Sequence, residues 1–163
     1  MVVMKRLLLV NPFMQRAIEL SLENVRSNGG GPFAAVVVKH SAIIATGVNR
    51  VTATIDPTAH AEIVAIREAC RKVQSFELSG CELFTTCEPC PMCMGAIYWA
   101  RLDKVYYANT RADAAKIGFD DSMIYEELSL PIAKRKIPME QIMRTEALRA
   151  FHEWERSQSK IPY

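Results

Sequence analysis

Apolar residues in the first part of the chain recur at two different periods. Those that follow Asn11-Pro12 are three or four positions apart, at Met14, Ile18, Leu22 and Val25. This spacing predicts a helix with Asn11 as its N-cap and Pro12 as its first residue. The valine-rich run 33–39 and the apolar run 42–48 are joined by two polar residues, so they are expected to form a β-hairpin.

Helical and extended patterns alternate over the rest of the chain. They predict helices at 59–73, 91–100 and 146–157, a broken helical stretch at 112–128, and strands at 81–86, 105–108 and 141–145, the last at the edge of the sheet. Such alternation is typical of a layered α/β domain with a central sheet and helices on its faces. The chain has 163 residues and shows no repeat or linker, so a single domain, 1–163, is predicted.

Composition and charge disfavour several classes of protein. Lysine and arginine number 20 against 18 acidic residues, a net charge of +2. Nucleic-acid-binding proteins usually carry a larger basic excess on one face, so a nucleic-acid partner is not expected. The N-terminal stretch MVVMKRLLLV is interrupted by Lys5 and Arg6 and is too short to span a membrane. We therefore predict no export signal and no membrane anchor, and a cytoplasmic location.

Cysteines are concentrated in one short segment. Three of the five, Cys87, Cys90 and Cys93, lie within seven residues. Without an export signal, this crowding indicates metal or redox chemistry rather than a disulfide framework. On the first turn of a helix, Cys90 and Cys93 would place both sulfurs on one side. Because His60 begins another helix, the three side chains could converge on one zinc ion and leave its fourth position to water.

Glu62 favours a catalytic interpretation of that site. It follows His60 by two residues, so its carboxylate could take a proton from water at the metal. A site formed by His60 and all three clustered cysteines, with Cys87 included, would instead be structural. A redox dithiol would give His60 and Glu62 no role. Cys70 lies on the apolar face of its helix and is expected to belong to the core.

Two segments together resemble the signature of the zinc-dependent deaminases: His60-Ala61-Glu62 and Pro89-Cys90-Pro91-Met92-Cys93. This resemblance implies an α/β fold of the cytidine-deaminase-like type, a three-layer α/β/α sandwich with a mixed five-stranded sheet. The segment 117–125, IGFDDSMIY, resembles the bacterial guanine deaminases, and that likeness runs along nearly the whole chain. It implies hydrolytic deamination of guanine to xanthine and ammonia, with water activated by one zinc ion per subunit. The implied zinc ligands are His60, Cys90 and Cys93, and the implied proton carrier is Glu62.

The same resemblance implies roles for residues outside the zinc signature. Asn49 and Asp121 would hydrogen-bond the purine edge, and Phe33 would pack on the ring. Each also has an ordinary structural explanation: Asn49 suits a turn, Phe33 a core position and Asp121 a helix cap. The C-terminal segment would close over the pocket with Tyr163 near the substrate. It would come from the partner subunit of a domain-swapped homodimer.

Three alternatives to a guanine deaminase stay open at this point, and one of them is deamination of cytidine or its nucleotides. The tRNA adenosine deaminases have close equivalents of the zinc signature, and they convert adenosine to inosine at the anticodon wobble position. Such an enzyme needs a basic surface for RNA, which the near-neutral charge does not favour. The remaining alternative is a zinc domain without enzymatic activity, in which four protein ligands complete the coordination sphere.

Overall fold

The computed structural model of the chain describes residues 10–163. It divides into two compact units, the first ending at Asp121 and the second comprising Ser122–Tyr163. The single domain over the whole chain stays a prediction. The N-terminal stretch that we judged not to be an export signal lies, apart from Val10, outside the described residues. Within 10–163, no helix is both long and apolar enough to cross a membrane.

The first unit contains, within residues 10–121, five helices and four strands. The helices are α1 (Pro12–Arg26), α2 (Val51–Thr54), α3 (Ala61–Val73), α4 (Pro91–Trp99) and α5 (Arg111–Lys116). The strands are β1 (Ala34–Lys39), β2 (Ala42–Val48), β3 (Cys81–Cys87) and β4 (Lys104–Asn109). The sequence predicted all of these to within a few residues except the short helix α2, whose valine and threonines favour a strand.

The four strands form one mixed sheet in the order β2-β1-β3-β4. Strand β1 pairs antiparallel with β2, which confirms the predicted hairpin, and also antiparallel with β3. Strands β3 and β4 are parallel, and α4 lies between them in the chain. Because β3 has neighbours on both sides, the predicted metal-binding segment that follows it starts from a fixed interior strand.

Helices cover both faces of this sheet. On β1, Ala35 and Val37 pack into a core with α3 and α4, whereas Val36 and Val38 pack with α1 on the opposite face. Successive strand residues point to opposite faces, so a strand buried on both sides reads as an unbroken apolar run. The first unit is therefore an α/β/α sandwich, which confirms the three predicted layers.

A glycine in β2 allows α3 to approach the sheet closely. A Cβ atom on Gly47 would lie 2.2 Å from the carbonyl oxygen of Ala61 and 2.5 Å from the amide nitrogen of Ala65. Both distances are too short for any side chain, so only glycine fits at this position. The contact places the first turn of α3 against the sheet and thereby fixes the position of His60, which precedes that turn.

The second unit consists of helices and irregular segments. It contains α6 (Ser122–Ser129), a 3-10 helix (Ile132–Lys134) and α7 (Arg144–Arg156). No residue of Ser122–Tyr163 is buried, and large apolar side chains such as Ile137, Ile142 and Phe151 are more than 70% exposed. Within the single chain, this unit therefore has no core of its own.

The predicted fifth strand, 141–145, is wrong. Helix α7 begins at Arg144, so it already includes the last two residues of the predicted strand. Met143 has a φ of 50°, in the left-handed region, which is incompatible with extended backbone. The sheet in residues 10–163 accordingly has four strands, although its mixed orientation agrees with the prediction.

Candidate active site

Two predicted metal ligands occupy equivalent places in the fold. His60 is the N-cap of α3, and Cys90 is the N-cap of α4, directly before Pro91. An N-cap side chain usually accepts a hydrogen bond from the first turn of its helix, but neither of these two does so. Both side chains are therefore available to bind a ligand beside the positive end of a helix.

The three predicted ligands lie close together. The Sγ atoms of Cys90 and Cys93 are 3.5 and 3.6 Å from His60 Nδ1. All three ligating atoms lie within 4.8 Å of one another. One nitrogen and two sulfurs are a usual zinc donor set, and three protein ligands leave a tetrahedral ion one open position. The residues present thus fit a catalytic zinc ion.

The protonation of Cys90 also suits a metal. A side-chain hydrogen bond with Cys93, supplemented by one with His60, lowers the pKa of Cys90 to about 4. The same Cys90–Cys93 bond raises the pKa of Cys93, with burial as a second cause. The hydrogen bond with Cys90 raises the pKa of His60. Cys90 is therefore a thiolate at neutral pH, the form in which cysteine binds metals.

Glu62 is buried beside the ligands, with only 6% of its surface exposed. Its Oε1 accepts a hydrogen bond of 3.0 Å from Thr85 Oγ1, and its Oε2 lies 3.4 Å from Cys93 Sγ. Burial is the main cause that raises its pKa. A carboxyl group with a raised pKa holds a proton more readily than an ordinary glutamate does, which suits a group that takes up a proton and returns it.

Cys87 does not join the ligand group. Its Sγ donates a hydrogen bond of 3.7 Å to the carbonyl oxygen of Thr110. Burial raises the pKa of Cys87 to about 11, so it is a neutral thiol at physiological pH. This arrangement argues against the four-ligand structural site. Cys70 packs against the core on the α3 side of the sheet, as expected.

The side chain of Asn49 has two parts with different surroundings. Its Oδ1 accepts from the backbone N–H groups of Gly31 and Val51, at 3.3 and 3.4 Å, so the turn explanation holds for this atom. Asn24 also donates to its carbonyl oxygen, and the residue is buried. Its Nδ2 makes no hydrogen bond within residues 10–163, which leaves the two N–H donors of this oriented amide for a ligand.

Phe33 and Asp121 also lie in the first unit. Phe33 packs partly against the core, and its ring meets that of Phe119 edge to face, with centroids 4.9 Å apart. Asp121 is half-buried, and burial followed by the charge of the Cys90 thiolate raises its pKa. The structure therefore places Asp121 within electrostatic range of the metal ligands. Tyr163 belongs to the second unit and is 70% exposed, so its role stays a prediction.

Two residues near the site were not predicted from the sequence. The sequence predicts Thr85 only as part of a strand, yet its hydroxyl contacts the buried Glu62. Phe119 was part of a recognised segment without an assigned role, yet it packs against Phe33. The alternating pattern of β3 could have indicated Thr85, because it shares a sheet face with Leu83 in the core against α3.

Comparison with known proteins identifies the class of molecule that this site belongs to. Residues 10–109 match the zinc-binding region of cytidine and deoxycytidylate deaminases, and the chain therefore belongs to this family of zinc-binding proteins. Within it, the chain is 52% identical to the guanine deaminase of Bacillus subtilis over 151 residues, covering 93% of this chain and 97% of that protein. The crystal structure of the Bacillus subtilis guanine deaminase superposes with a TM-score of 0.91 at 51% identity, covering 94% and 99% of the two chains.

Other relatives are similar over shorter lengths. Guanine deaminase from Nitrosomonas europaea superposes with a TM-score of 0.64 at 38% identity, over 67% of this chain and 63% of that chain. A tRNA-specific adenosine deaminase from Aquifex aeolicus is 46% identical over 80 residues, or 49% of this chain and 53% of that protein. The likeness to a guanine deaminase thus extends over nearly the whole chain, whereas the likeness to this tRNA deaminase covers about half.

Proposed function

We propose that this chain catalyses the hydrolytic deamination of guanine to xanthine and ammonia, with one zinc ion per subunit as its cofactor. The observation that carries the proposal is the buried carboxylate of Glu62 beside a His60, Cys90 and Cys93 ligand group. This group lies in a chain that matches a guanine deaminase over 93% of its length. A structural zinc site would give a buried acid at this place no function.

The chemistry divides between the metal and Glu62. Zinc held by His60, Cys90 and Cys93 would act as a Lewis acid and make hydroxide available from water at neutral pH. Glu62 takes the proton that the water loses, because its Oε2 lies on the side of the ligands. It delivers that proton to the purine ring nitrogen, and it then passes the second proton of the water, released as the new C2 hydroxyl becomes a carbonyl, to the departing amine. One water is consumed, its oxygen stays on C2 of the purine, and the amino group leaves as ammonia.

Selection of guanine would rest on residues around the ligand group. A carboxylate only accepts hydrogen bonds, so Asp121 would bind N–H groups on one edge of guanine. The Nδ2 group of Asn49, held in place through its Oδ1, would donate to an acceptor of the base. Phe33, supported by Phe119, would provide an apolar surface for the flat ring. A base with the opposite donor pattern would leave these groups unpaired and bind poorly.

The quaternary structure is a second part of the proposal. We infer that the chain forms a homodimer in which the C-terminal segment of one subunit, ending at Tyr163, closes the pocket of the other. The absence of buried residues from Ser122–Tyr163 supports this inference, because two chains together could cover the apolar side chains exposed in one. Tyr98 and Trp99, at the end of α4, are largely exposed and offer further apolar area.

A panel of substrates tests the proposed activity. Zinc-loaded protein is incubated with guanine, adenine, cytosine, cytidine and a tRNA anticodon stem-loop, and ammonia release is followed. We expect rapid conversion of guanine and little reaction with the other compounds. Activity on the stem-loop alone would support the tRNA adenosine deaminase instead, and inactivity on all five would support a non-enzymatic zinc domain.

The Glu62→Gln variant tests the proposed mechanism with the same assay. Glutamine keeps the size of the side chain but cannot carry the proton, so kcat should fall by at least about a hundredfold. Bound zinc, measured by elemental analysis, should stay at one ion per chain because the ligands are untouched. Turnover at the wild-type rate would contradict the role given to Glu62.

A further inference from the structure

Thr85 occupies a rigid position in the middle of the sheet. It is fully buried, and β3 carries it between Ala35 of the antiparallel β1 and Tyr107 of the parallel β4. Strand alternation places its side chain on the same face as Leu83, which belongs to the core under α3. The hydroxyl therefore has little freedom to move, and it faces the helix that carries Glu62.

The contacts of this hydroxyl are unequal. Its Oγ1 lies 3.0 Å from Glu62 Oε1 and 3.5 Å from the carbonyl oxygen of Ala34. A threonine hydroxyl has one hydrogen to donate. The Glu62 carboxylate is both nearer to it than the Ala34 carbonyl and the stronger acceptor of the two. The hydrogen bond to Glu62 is therefore the main interaction of Thr85.

This bond distinguishes the two oxygens of the Glu62 carboxylate. Oε1 is bound by Thr85, whereas Oε2 faces Cys93 Sγ at 3.4 Å. Cysteine ligates zinc as the thiolate, which has no hydrogen to donate to a carboxylate. Of the two side chains that contact Glu62 here, Thr85 is thus the one that can still donate to it when the metal is bound.

We propose that Thr85 is a positioning residue for Glu62, whose hydroxyl fixes Oε1 and so keeps Oε2 directed at the metal ligands. This inference rests on the proposed function, because it assumes that Glu62 carries the proton. The terminal torsion of a glutamate is broad and roughly two-fold, so packing alone does not select one orientation of its carboxylate. A fixed hydrogen-bond donor does select one, and proton transfer needs an oriented oxygen.

The adjacent threonine provides a matched control. Thr86 is also buried, but it points to the opposite face of the sheet, where its Oγ1 accepts a hydrogen bond of 3.0 Å from the Ala34 N–H. Replacing either threonine with valine removes one buried hydroxyl from the same strand at nearly constant volume. Only the change at Thr85 removes a contact with Glu62.

The test compares Thr85→Val, Thr85→Ser and Thr86→Val as zinc-loaded proteins. For Thr85→Val we expect kcat on guanine to fall by about tenfold to a hundredfold, the usual effect of removing such an orienting partner. KM and zinc content should stay close to wild type. Thr85→Ser, which keeps the hydroxyl, should restore most of kcat, and Thr86→Val should keep it. Equal losses in the two valine variants, or a wild-type kcat in Thr85→Val, would overturn the proposal.

A second readout needs no substrate. Crystal structures of the zinc-loaded wild type and Thr85→Val are compared, and the Glu62 carboxylate is expected to rotate or to occupy two conformers in the variant. A single Glu62 conformer that is unchanged in the variant would overturn the proposal for Thr85, whatever the activity of the wild type. Inactivity of the wild type on guanine would instead overturn the proposed function, so the two failures are distinguishable. If Thr85→Val does not fold, Thr85→Ala, which removes the hydroxyl without adding bulk, is examined in the same two ways.

Discussion

At the scale of single residues, two of the three metal ligands occupy positions that normally serve helix stability. Serine, threonine, aspartate and asparagine are preferred at N-caps because they bind free N–H groups, and an unsuitable residue costs about 0.5–2 kcal/mol. His60 and Cys90 stand at two such positions without making that bond. In return, the positive helix ends favour the thiolate that zinc requires. The site is thus built at some expense to the stability of α3 and α4.

Asp121 provides a prediction at this scale. In Asp121→Asn, an amide replaces a pure acceptor, so one charge-assisted hydrogen bond to guanine is lost and kcat/KM should fall about tenfold to a hundredfold. Zinc content should be unchanged because Asp121 is not one of the three ligands. Steady-state kinetics on guanine measure the effect, with the exposed neighbour in Asp120→Asn as the control. Similar kinetics in both variants would mean that residues other than Asp121 hydrogen-bond the base.

The residues that could be predicted from the sequence are those that form compact motifs. His60 and Glu62 are two positions apart, and Cys90 and Cys93 are three apart, so local spacing was enough to propose their grouping. Thr85 lies 23 positions from Glu62, and a threonine within a strand is ordinary. Its contact with Glu62 depends on how α3 lies across β3, which local spacing does not determine.

At the scale of elements, the approach of α3 to β2 depends on one glycine. In Gly47→Ala the added methyl would overlap the backbone of Ala61 and Ala65, so α3 must shift. Overpacking of this kind should lower the free energy of unfolding by about 1–3 kcal/mol. The shift also displaces His60, so zinc affinity should fall as well.

Urea denaturation of the metal-free chain and zinc titration measure these two effects. The control is Thr46→Ala on the same strand, whose side chain is exposed and whose loss should change stability by no more than about 0.5 kcal/mol. If Gly47→Ala unfolds at the same urea concentration as this control, then α3 adapts without cost and does not fix His60.

The cap of α5 gives a pH-dependent prediction. Asp113 Oδ2 accepts from Thr110 N and Oγ1 at 3.1 and 2.7 Å, and the side-chain bond is the main cause that lowers the pKa of Asp113 to about 2. A lowered pKa means that the carboxylate stabilises α5 above the ordinary value of 3.8 and that this contribution is lost as pH falls from there through about 2.

NMR titration of Asp113, combined with amide exchange in α5, measures this loss. The protection of the α5 amides, measured relative to their intrinsic exchange rates, should fall only in the acid range. In Asp113→Asn these amides should be weakly protected at every pH. An Asp113 carboxyl group that titrates near 3.8 would contradict the cap described here.

Helices and strands could be predicted from the sequence where the spacing of apolar residues is regular enough to identify them. Strand β2 was predicted with its observed bounds, 42–48, and β1 to within one residue. The prediction of a strand at 141–145 was wrong because two adjacent apolar residues, Ile142 and Met143, between polar ones imitate a short strand. The left-handed backbone of Met143 and the start of α7 at Arg144 exclude an extended conformation here, and the pattern of apolar residues does not reveal either feature.

At the scale of the whole molecule, the proposed exchange of C-terminal segments can be tested by complementation. Glu62→Gln chains with an intact C-terminus are co-expressed with chains that lack residues 160–163, and mixed dimers are purified with two different tags. If each segment closes the partner's pocket, the truncated chain of a mixed dimer has both Glu62 and a lid. We expect activity in the mixed dimer and little in either parent.

A C-terminal segment that closes the pocket of its own chain predicts the opposite result. If each segment closes the pocket of its own chain, no pocket in the mixed dimer has both features, and the mixture should be inactive. Light scattering on wild type supplies the control, with an expected mass of twice the 18.3 kDa of one chain. A monomer in solution would contradict the proposed homodimer directly.

The sheet order and the second unit could not be predicted from the pattern of residues. The pairing of β1 with β3 joins segments more than forty positions apart, and local propensity does not specify it. The exposed apolar residues of Ser122–Tyr163 look like ordinary core positions in the sequence. Their exposure becomes visible only in the folded chain.

Most site residues lie at the ends of elements and not within them: Asn49 follows β2, His60 precedes α3, and Cys90 precedes α4. The packing that holds the sheet together comes from other residues, in the interiors of the strands. Mutations around the pocket can therefore accumulate with little effect on folding. The loops around the pocket are therefore the places where substitutions could change which base is bound while the sheet that carries the metal-binding turns stays intact.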